Sequence, residues 1–289
     1  MNNPLAQEAT GLTVAPASLE DWRLVAEWCA TEGWNPGDGD LDCFHPTDPG
    51  GFFIGRVDGR PVTSVSVVNY TDRYAFLGYY VVVPEERGRG LGIATWRTAV
   101  PHAADRIVGL DAVPAQQANY ARSGFVPAYG TVRWGGRPGR TGRPGAGTER
   151  VTAATLDAVT AYDRSCFPAE RPGFLGRWLT APGHTAYVRI RDGRVTGYGV
   201  IRPSRDGHRI GPFFADTRDD AEALFDSLTA ALGPDDTVAV DMPEPLSEAA
   251  VLAAGRGLEP QFPTVRMYTG PAPEVRTERI WGVTTLELG

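Results

Sequence analysis

The sequence predicts an α/β protein of the α+β kind, built as two domains that are each a mixed, largely antiparallel sheet flanked by helices. Three observations predict this class. A buried strand, a glycine-rich turn and a helix follow one another between Leu77 and Ala99. Short strands and helices alternate through the first half of the chain, and the second half repeats that order without the glycines. A chain of 289 residues is long enough for two such domains.

The domain boundary lies in a stretch of unusual composition. Residues 135–150 read GGRPGRTGRPGAGTER, which is rich in Gly, Pro and Arg and has no hydrophobic periodicity. This composition is typical of a linker or a mobile loop. We therefore predict a first domain over residues 1–137, a linker over 138–148 and a second domain over 149–289.

The first domain opens with a strand and a helix for which Ser18 is the predicted N-cap. A long loop over Gly33–Gly51 is rich in Gly, Pro and Asp, and its aromatic residues Trp34 and Phe44 favour a packed lid. Asp58-Gly59 supplies the turn of a hairpin. The predicted strands and helices of this domain, besides those within 77–99, are strands at 12–15, 52–57, 61–70 and 106–113, helices at 19–29 and 115–123, and the last strands of the unit within 125–134.

The second domain repeats this plan with one part missing. The expected strand Ile210–Ala215 holds the place of Leu77–Val83, yet it continues into a helix that begins with Asp216, Asp219 and Asp220. Its predicted helices are 156–167, 174–179, 219–232 and 247–254, and its predicted strands are 186–191, 195–202, 210–215 and 237–241. The chain closes with the segments 265–268 and 281–289.

Composition excludes several classes of function. A net charge of −7 argues against a nucleic-acid partner. No apolar run approaches the ~20 residues of a membrane span, and the N-terminus lacks the basic and apolar parts of a signal peptide. The three cysteines, Cys29, Cys43 and Cys166, share no metal-binding spacing. We expect a cytoplasmic protein with reduced thiols, without a metal and without a membrane partner.

The glycine-rich turn is the stretch with the clearest chemistry. Leu77–Val83 is apolar on both faces, as in a central strand, and Pro84 ends it. A strand, a glycine-rich turn and a helix together direct backbone N–H groups and a helix N-terminus at one point, which attracts phosphate. The following helix is expected to place Ile93, Trp96 and Val100 on one face. The glycine spacing does not fit a dinucleotide fingerprint, and a Walker loop needs a lysine, which this chain lacks.

The remaining pattern, Arg-x-x-Gly-x-Gly after a buried strand, resembles the pyrophosphate loop of the GNAT N-acetyltransferases, which holds acetyl-CoA. The order of elements in the first half is also similar to that fold. By position, the resemblance implies that strand residues bind the pantetheine and that the turn binds the diphosphate. The residues implied in cofactor binding are Val81, Val82, Val83, Arg87, Gly88, Arg89, Gly90, Leu91, Gly92 and Ile93.

A second match to the family lies at Asn119–Phe125, NYARSGF. The resemblance implies that Asn119 contacts the cofactor and that Tyr120, four residues before a Gly-Phe pair, stands near the sulfur of coenzyme A. A phenol with a pKa near ~10 can protonate the leaving thiolate. Tyr120 is therefore the candidate general acid, and the alternative is a tyrosine that only packs under the helix.

No general base is assigned. Some family members carry a glutamate on the strand at the cleft, but Leu77–Val83 contains no acid. Asp111 on the next strand and Asp40 and Asp42 in the long loop are open alternatives, as is a water relay. Of the four histidines only His45 lies near the expected cleft.

The resemblance extends over nearly the whole chain, to tandem GNAT proteins with an active-looking first domain and a degenerate second one. It implies an acyl-CoA-dependent N-acetyltransferase that acts by direct attack of an amine, with a small-molecule acceptor of unknown identity. The alternative is a non-catalytic acyl-CoA-binding or sensing protein. Three carboxylates at the start of its helix would repel diphosphate, so we expect the second domain to bind no coenzyme A. We expect residues 149–289 to shape acceptor specificity or to hold the two halves together, without chemistry of their own. The sequence leaves the oligomeric state open.

Overall fold

The computed structural model describes residues 11–289, so the prediction about the N-terminal segment falls almost entirely outside the described residues. The strands are β1 (Leu12–Pro16), β2 (Phe52–Val57), β3 (Arg60–Asn69), β4 (Tyr74–Val82), β5 (Ile107–Ala112), β6 (Val126–Gly136), β7 (Thr148–Arg150), β8 (Thr185–Arg191), β9 (Arg194–Ser204), β10 (Gly207–Ala215), β11 (Val238–Pro243), β12 (Glu259–Tyr268) and β13 (Ile280–Gly282). The helices are α1 (Leu19–Thr31), α2 (Asp40–Phe44), α3 (Leu91–Ala99), α4 (Gln117–Arg122), α5 (Leu156–Asp163), α6 (Pro172–Trp178), α7 (Arg218–Thr229) and α8 (Ser247–Gly255).

All the strands belong to one mixed sheet, in the order β1-β2-β3-β4-β5-β12-β6-β11-β10-β9-β8-β7, with β13 paired to β10 beside this path. Most neighbours are antiparallel, and β4–β5 and β10–β11 are parallel pairs. Helices pack on this sheet, as α3 does on β3 and α7 on β9. The predicted α/β class, a mixed sheet flanked by helices, is confirmed.

The two halves of the chain exchange a strand. β12, from the second half, pairs with β5 from Val265↔Ala112 to Tyr268↔Gly109, and β6, from the first half, pairs with β11. The prediction that residues 125–134 complete the first half's own sheet with several strands is therefore wrong, because they form one strand between two strands of the second half. Alternation of apolar residues predicts a strand but does not identify its partner.

A buried ion pair stabilises the pairing of β12 with β5. Arg266 of β12 donates from Nε and Nη2 to the two carboxylate oxygens of Asp111 on β5, each at 2.8 Å. The two side chains are 4% and 0% exposed, and the Arg266 guanidinium also lies 5.0 Å from the centre of the Phe76 ring. A buried bidentate pair stabilises the fold only while both partners are present. If either side chain is removed, the other charge stays buried without a partner, which is strongly destabilising.

Helix α1 begins where the sequence predicts. Ser18 caps it, and the Asp21 side chain accepts from the Ser18 backbone N–H, which completes a capping box. Trp22 and Val25 on its inner face are fully buried. The helix therefore packs on the sheet beside β4, with the Trp22 ring 5.5 Å from that of Tyr79.

The long loop after α1 is packed, as predicted, but mainly against the second half. Phe44 is fully buried, with its ring 5.3 Å from Trp178 and stacked on it. Asp40 forms a bidentate, buried ion pair with Arg202 of β9. The loop therefore joins the two halves through aromatic stacking and a charge pair, and Trp34 is the aromatic residue that faces the cleft described below.

The Gly/Pro/Arg-rich connection lies along the second half. The Gly139 N–H donates to the Arg256 carbonyl at 2.6 Å, and the Gly145 N–H donates to Ser227 Oγ at 2.9 Å. Gly145 passes so close to α7 that a Cβ there would lie 2.2 Å from the Ala223 carbonyl oxygen. The predicted linker is thus hydrogen-bonded to the domain that follows it.

Across residues 11–289, no helix has both the length and the apolarity to cross a membrane. All three cysteines are free thiols within the hydrophobic interior. Burial raises the pKa of the Cys29 and Cys166 thiols above its usual range, so both stay protonated.

We predict that Arg266→Met lowers the free energy of unfolding by about 3–5 kcal/mol, because Asp111 would remain buried without its partner. Urea unfolding followed by tryptophan fluorescence measures the change. The matched control is Arg276→Met, since Arg276 pairs with Glu278 at the surface and both side chains are more than half exposed. That variant should stay within about 0.5 kcal/mol of wild type. A loss below about 1 kcal/mol for Arg266→Met would show that the ion pair does not fasten β12.

Candidate active site

A cleft opens where β4 and β5 separate. The two strands pair in parallel only from Tyr74↔Ile107 to Phe76↔Gly109 and then diverge. The space between them is continuous with a cleft of about 640 Å³. Its walls are formed by Leu77–Val82, Leu110, Asp111, Val113, Gln116 and Tyr120, together with Glu32, Trp34, Arg87, Arg133, Phe262, Thr264, Leu286 and Glu287.

A bulge in β4 accompanies the divergence. Tyr79 and Tyr80 together oppose the single residue Val65 of β3, between the pairs Ser66↔Gly78 and Ser64↔Val81. Tyr79 has a φ of +49°, which is a left-handed conformation that a tyrosine rarely adopts. Its ring is fully buried, so packing holds this conformation in place.

The glycine-rich turn has the backbone geometry of an anion site. Gly88 and Gly90 both have a φ of +77°, and Gly90 is the N-cap of α3 without a side-chain cap. The first hydrogen bond of the helix runs from the Ala94 N–H to the Gly90 carbonyl at 3.1 Å. Within residues 11–289, the N–H groups from Gly88 to Ile93 have no acceptor. They form a row of free donors at the positive end of a helix dipole.

The start of α3 is set tightly on β4. A Cβ at Gly92 would lie 2.8 Å from Tyr80 Oη and 2.9 Å from Val82 Cγ2, so a larger residue there would displace these side chains. Leu91 is buried, whereas Ile93 is 44% exposed. The prediction that Ile93 shares the buried face with Trp96 is therefore wrong. The buried face follows Leu91, Thr95, Trp96 and Ala99, because the helix enters the core at its first residue.

The arginines of the turn are paired with carboxylates of the same half. Arg87 donates from Nε to the Val82 carbonyl at 2.9 Å and its guanidinium meets Glu32, while Arg89 meets Glu86. Both arginine side chains remain about half exposed. Their charge is thus available to an incoming anion, in part screened by solvent and by their partners.

Two of the three valines predicted for the strand lie in the cleft wall. Val81 and Val82 line it, and Val83 does not. The Val83 N–H donates to the Val62 carbonyl at 3.0 Å, and its carbonyl accepts from the Glu86 N–H. Both backbone groups of Val83 are therefore occupied by the protein itself.

Tyr120, on α4, lies in the cleft wall. Its ring packs against Trp96 at 5.6 Å and Phe125 at 6.1 Å between ring centres. Among residues 11–289 its hydroxyl has no hydrogen-bond partner, and it is not sealed from solvent. Burial raises the pKa of Tyr120 well above that of a free phenol, and the nearby Tyr80 hydroxyl adds to the rise. The hydroxyl therefore stays protonated and can donate to a group in the cleft.

Asn119 does not line the cleft. It is exposed on α4, where its amide donates to Gln116 Oε1 and its carbonyl oxygen accepts from Arg122. Gln116 is the residue of this cluster that reaches the cleft wall. Asn119 therefore orients Gln116 in this structure.

Neither the three candidate carboxylates nor His45 is a free group in the cleft. Asp111 and Asp40 are each held in a bidentate pair with a buried arginine. Asp42 is exposed on α2 and outside the cleft wall. The His45 ring stacks on Phe52 with 5.2 Å between ring centres, also outside the wall.

The sequence reasoning missed the residues that arrive from distant parts of the chain. β12 supplies Phe262 and Thr264, β6 supplies Arg133, and the C-terminal segment supplies Leu286 and Glu287. No local motif marks these residues. The only signal is Glu287 itself, one acid in an otherwise uncharged run that closes the chain.

Arg133 forms a fixed cationic part of the cleft. It donates to both carboxylate oxygens of Asp241, at 2.7 and 3.1 Å, and to the Trp34 carbonyl at 2.7 Å. Its guanidinium lies 5.7 Å from the centre of the Phe262 ring. This end of the cleft therefore combines aromatic surface with an immobilised charge.

The corresponding gap in the second half is closed. β10 and β11 pair in parallel only over residues 208–210 and 238–240 and then part, as β4 and β5 do. Here β13 fills the gap, with Phe213 paired to Gly282 and the Trp281 Nε1–H donating to the Ala215 carbonyl at 3.1 Å. The Val283 N–H donates to the Asp241 carbonyl at 2.9 Å, so the chain at β13 bonds to both sides.

The helix after β10 offers no anion site either. Thr217 caps α7, and its side chain accepts from the Asp220 N–H at 3.2 Å. Asp219 and Asp220 fill the first turn, and Asp220 is buried between two arginines. The second half therefore differs from the first at two places, the acidic helix start and the inserted strand.

No group of three or more His, Cys, Asp or Glu residues that could hold a metal ion occurs within residues 11–289.

Comparison with known proteins connects both halves to one family. The family model described as the acetyltransferase (GNAT) family matches residues 19–125, and the model described as an acetyltransferase (GNAT) domain matches residues 159–282. A holothin acyltransferase from Pseudoalteromonas sp. (strain SANK 73390) is 37% identical over 286 residues, which is 99% of this chain and 97% of that protein.

Solved structures share the fold over nearly the whole length. The crystal structure of a candidate acetyltransferase from Pyrococcus horikoshii is similar with a TM-score of 0.81 and 19% identity, over 97% of this chain and 96% of that one. A tandem GNAT protein from the clavulanic acid biosynthesis pathway is similar with a TM-score of 0.60 and 17% identity, over 90% and 99% of the two chains. At these identities the likeness concerns the fold alone.

Proposed function

The chain belongs to the GNAT family of acyltransferases, with two GNAT domains in tandem, and we propose that it transfers an acetyl group from acetyl-CoA to the amine of a small molecule in the first-half cleft. The observation that carries this proposal is one cleft that contains the gap between β4 and β5 and is lined by Tyr120. The same wall includes Arg87, where the glycine-rich turn with its free N–H groups begins.

Acetyl-CoA would enter with its diphosphate on the turn. The N–H groups from Gly88 to Ile93 would donate to the phosphate oxygens at the helix N-terminus, and Arg87 and Arg89 would add attraction. The pantetheine chain would lie in the gap beside Val81 and Val82. This is the mode of binding that the family resemblance implies, and the free donors and the open gap support it.

Acetyl transfer then needs an amine nitrogen at the thioester and a proton for the leaving sulfur. The nitrogen attacks the carbonyl carbon, a C–N bond forms, and the C–S bond breaks. Tyr120 would donate its hydroxyl proton to the sulfur as the thiolate leaves. Its raised pKa keeps that proton on the hydroxyl until the C–S bond breaks.

The acceptor would occupy the part of the cleft between Trp34 and Phe262. This wall is built largely from the second half, so that half would shape acceptor specificity. The 37% identity to a holothin acyltransferase makes holothin the first acceptor to test. A protein that binds acetyl-CoA but acylates neither holothin nor any of a broad panel of small amines would instead be a sensing module.

We predict that Gly90→Val weakens acetyl-CoA binding by at least about tenfold, because a valine side chain at a φ of +77° strains the turn and obstructs the phosphate. Calorimetric titration measures the affinity. The control is Gly142→Val, at a φ of +70° in the connection between the halves, with open space around it. That variant should bind like wild type, and normal affinity in folded Gly90→Val would refute the phosphate site.

We predict that Tyr120→Phe lowers kcat by roughly 10²–10⁴-fold and changes the KM for acetyl-CoA much less, because the hydroxyl acts in the transition state. Thiol release followed with a chromogenic disulfide gives both constants. Tyr187→Phe, on β8 in the second half, removes a comparable hydroxyl outside the cleft wall and should have no effect. Wild-type turnover by Tyr120→Phe would mean that the tyrosine only packs on Trp96.

We predict one acetyl-CoA site per chain, because β13 occupies the gap in the second half. Calorimetry with the full-length chain measures the stoichiometry. Two sites of comparable affinity would contradict the closed state of the β10–β11 gap.

A further inference from the structure

The C-terminal segment runs from the closed gap of the second half to the open cleft of the first. After β13, the chain folds back so that the Leu288 N–H donates to Thr285 Oγ1 at 3.0 Å and the Gly289 N–H to the Thr285 carbonyl at 3.1 Å. Tyr70, in the first half, donates its hydroxyl to the Leu288 carbonyl at 2.8 Å. The segment is therefore fixed at both ends.

This path places the backbone of Glu287 in contact with β4. A Cβ at Gly78 would lie 1.9 Å from the Glu287 carbonyl oxygen, so the contact exists only because residue 78 is glycine. Gly78 directly precedes the bulge at Tyr79, where the cleft opens. Glu287 is one of the residues of the cleft wall.

The Glu287 carboxylate is buried and lacks a partner within the described part of the chain. The residue is 4% exposed, and its oxygens are not sealed from solvent, so that exposure is to the cleft. Among residues 11–289 it makes no hydrogen bond and no ion pair within 4.0 Å. Every other acid considered as a base is either paired with an arginine or outside the cleft. A buried carboxylate without a partner destabilises the fold, which is the usual signature of a functional group.

Burial and several charged groups act on Glu287. Burial is the largest influence and raises the pKa of Glu287 above its ordinary value. Arg209 of β10 and Arg133 of β6 lower this pKa, whereas Asp241 of β11 and Asp40 of α2 raise it. The Cys29 thiol of α1 and the Tyr79 hydroxyl at the β4 bulge also lie near enough to interact with Glu287, and both stay neutral. A raised pKa brings the carboxyl group closer to the pKa of about 7 that suits a general base at neutral pH.

We propose that Glu287 is the general base of the acyl transfer, an inference that rests on the proposed function. The acceptor amine loses one proton to the Glu287 carboxylate as its nitrogen forms the C–N bond, and the sulfur gains one proton from Tyr120 as the C–S bond breaks. Glu287 then releases its proton to solvent in the cleft, and Tyr120 regains one. The second half thereby contributes a catalytic group to the first half's site.

The first test compares Glu287→Gln with wild type, using acetyl-CoA and the best acceptor found. We expect kcat to fall roughly 10²-fold at neutral pH with the KM for acetyl-CoA little changed, and the decline of kcat at acid pH, where Glu287 of the wild type becomes protonated, to disappear in the variant. Glu278→Gln, at an exposed acid just before β13, is the matched control and should act like wild type. Unchanged kcat in Glu287→Gln would overturn the proposal.

Stability separates a catalytic role from a structural one. Because the folded-state pKa of Glu287 is raised, its charged form opposes folding at pH above its ordinary pKa, and the neutral amide removes that penalty. Glu287→Gln should therefore unfold at the same or a higher urea concentration than wild type at neutral pH. Loss of activity together with clear destabilisation would assign Glu287 a structural role instead.

The second test needs no acceptor. Carbon-13 NMR of glutamate-labelled protein, with the resonance assigned by its absence in Glu287→Gln, measures the pKa of the carboxyl directly. We expect a value above the ordinary ~4.3 of glutamate. A value at or below that number would overturn the proposal even if no acceptor is found, whereas failure of every acceptor with wild type would count against the proposed function alone.

Discussion

The antiparallel pairing of β12 with β5 and β6 is the constraint on which the rest of the molecule depends. It inserts a strand of the second half into the first, and it turns two domain sheets into one. The Arg266–Asp111 pair makes this insertion hard to undo, because separation would leave two buried charges. Through the same strand, Phe262 and Thr264 reach the cleft, so the shape of the site depends on the exchange.

The two halves show how one backbone geometry has two outcomes. In each half a pair of parallel strands diverges after three residue pairs. In the first half the gap stays open beside a row of free N–H groups. In the second half β13 fills the gap, and the helix after β10 begins with an acidic, capped turn. The strand that closes the second gap also leads directly into the segment that carries Glu287 to the first.

Sequence reasoning locates those parts of the site whose geometry is local. The glycines at 88 and 90 have the positive φ that the turn requires, and Tyr120 lies in the cleft wall as the spacing implies. Position alone assigns Asn119 and Val83 to the cofactor site, yet Asn119 is exposed and Val83 uses its backbone groups on neighbouring residues. Local spacing predicts an element and its turn, but not which side chain of a short helix faces inward.

The sequence by itself therefore determined the class of fold, the division into two similar halves and the glycine-rich turn with its free N–H groups. Each depends on contacts within about ten residues, or on composition, and these leave a readable pattern. Only the tertiary structure decided that β6 and β12 are exchanged, that Asp111 and Asp40 are held by Arg266 and Arg202, and that Glu287 faces the cleft. These outcomes join residues far apart in the chain, where strand partners and ion pairs are chosen by packing and burial.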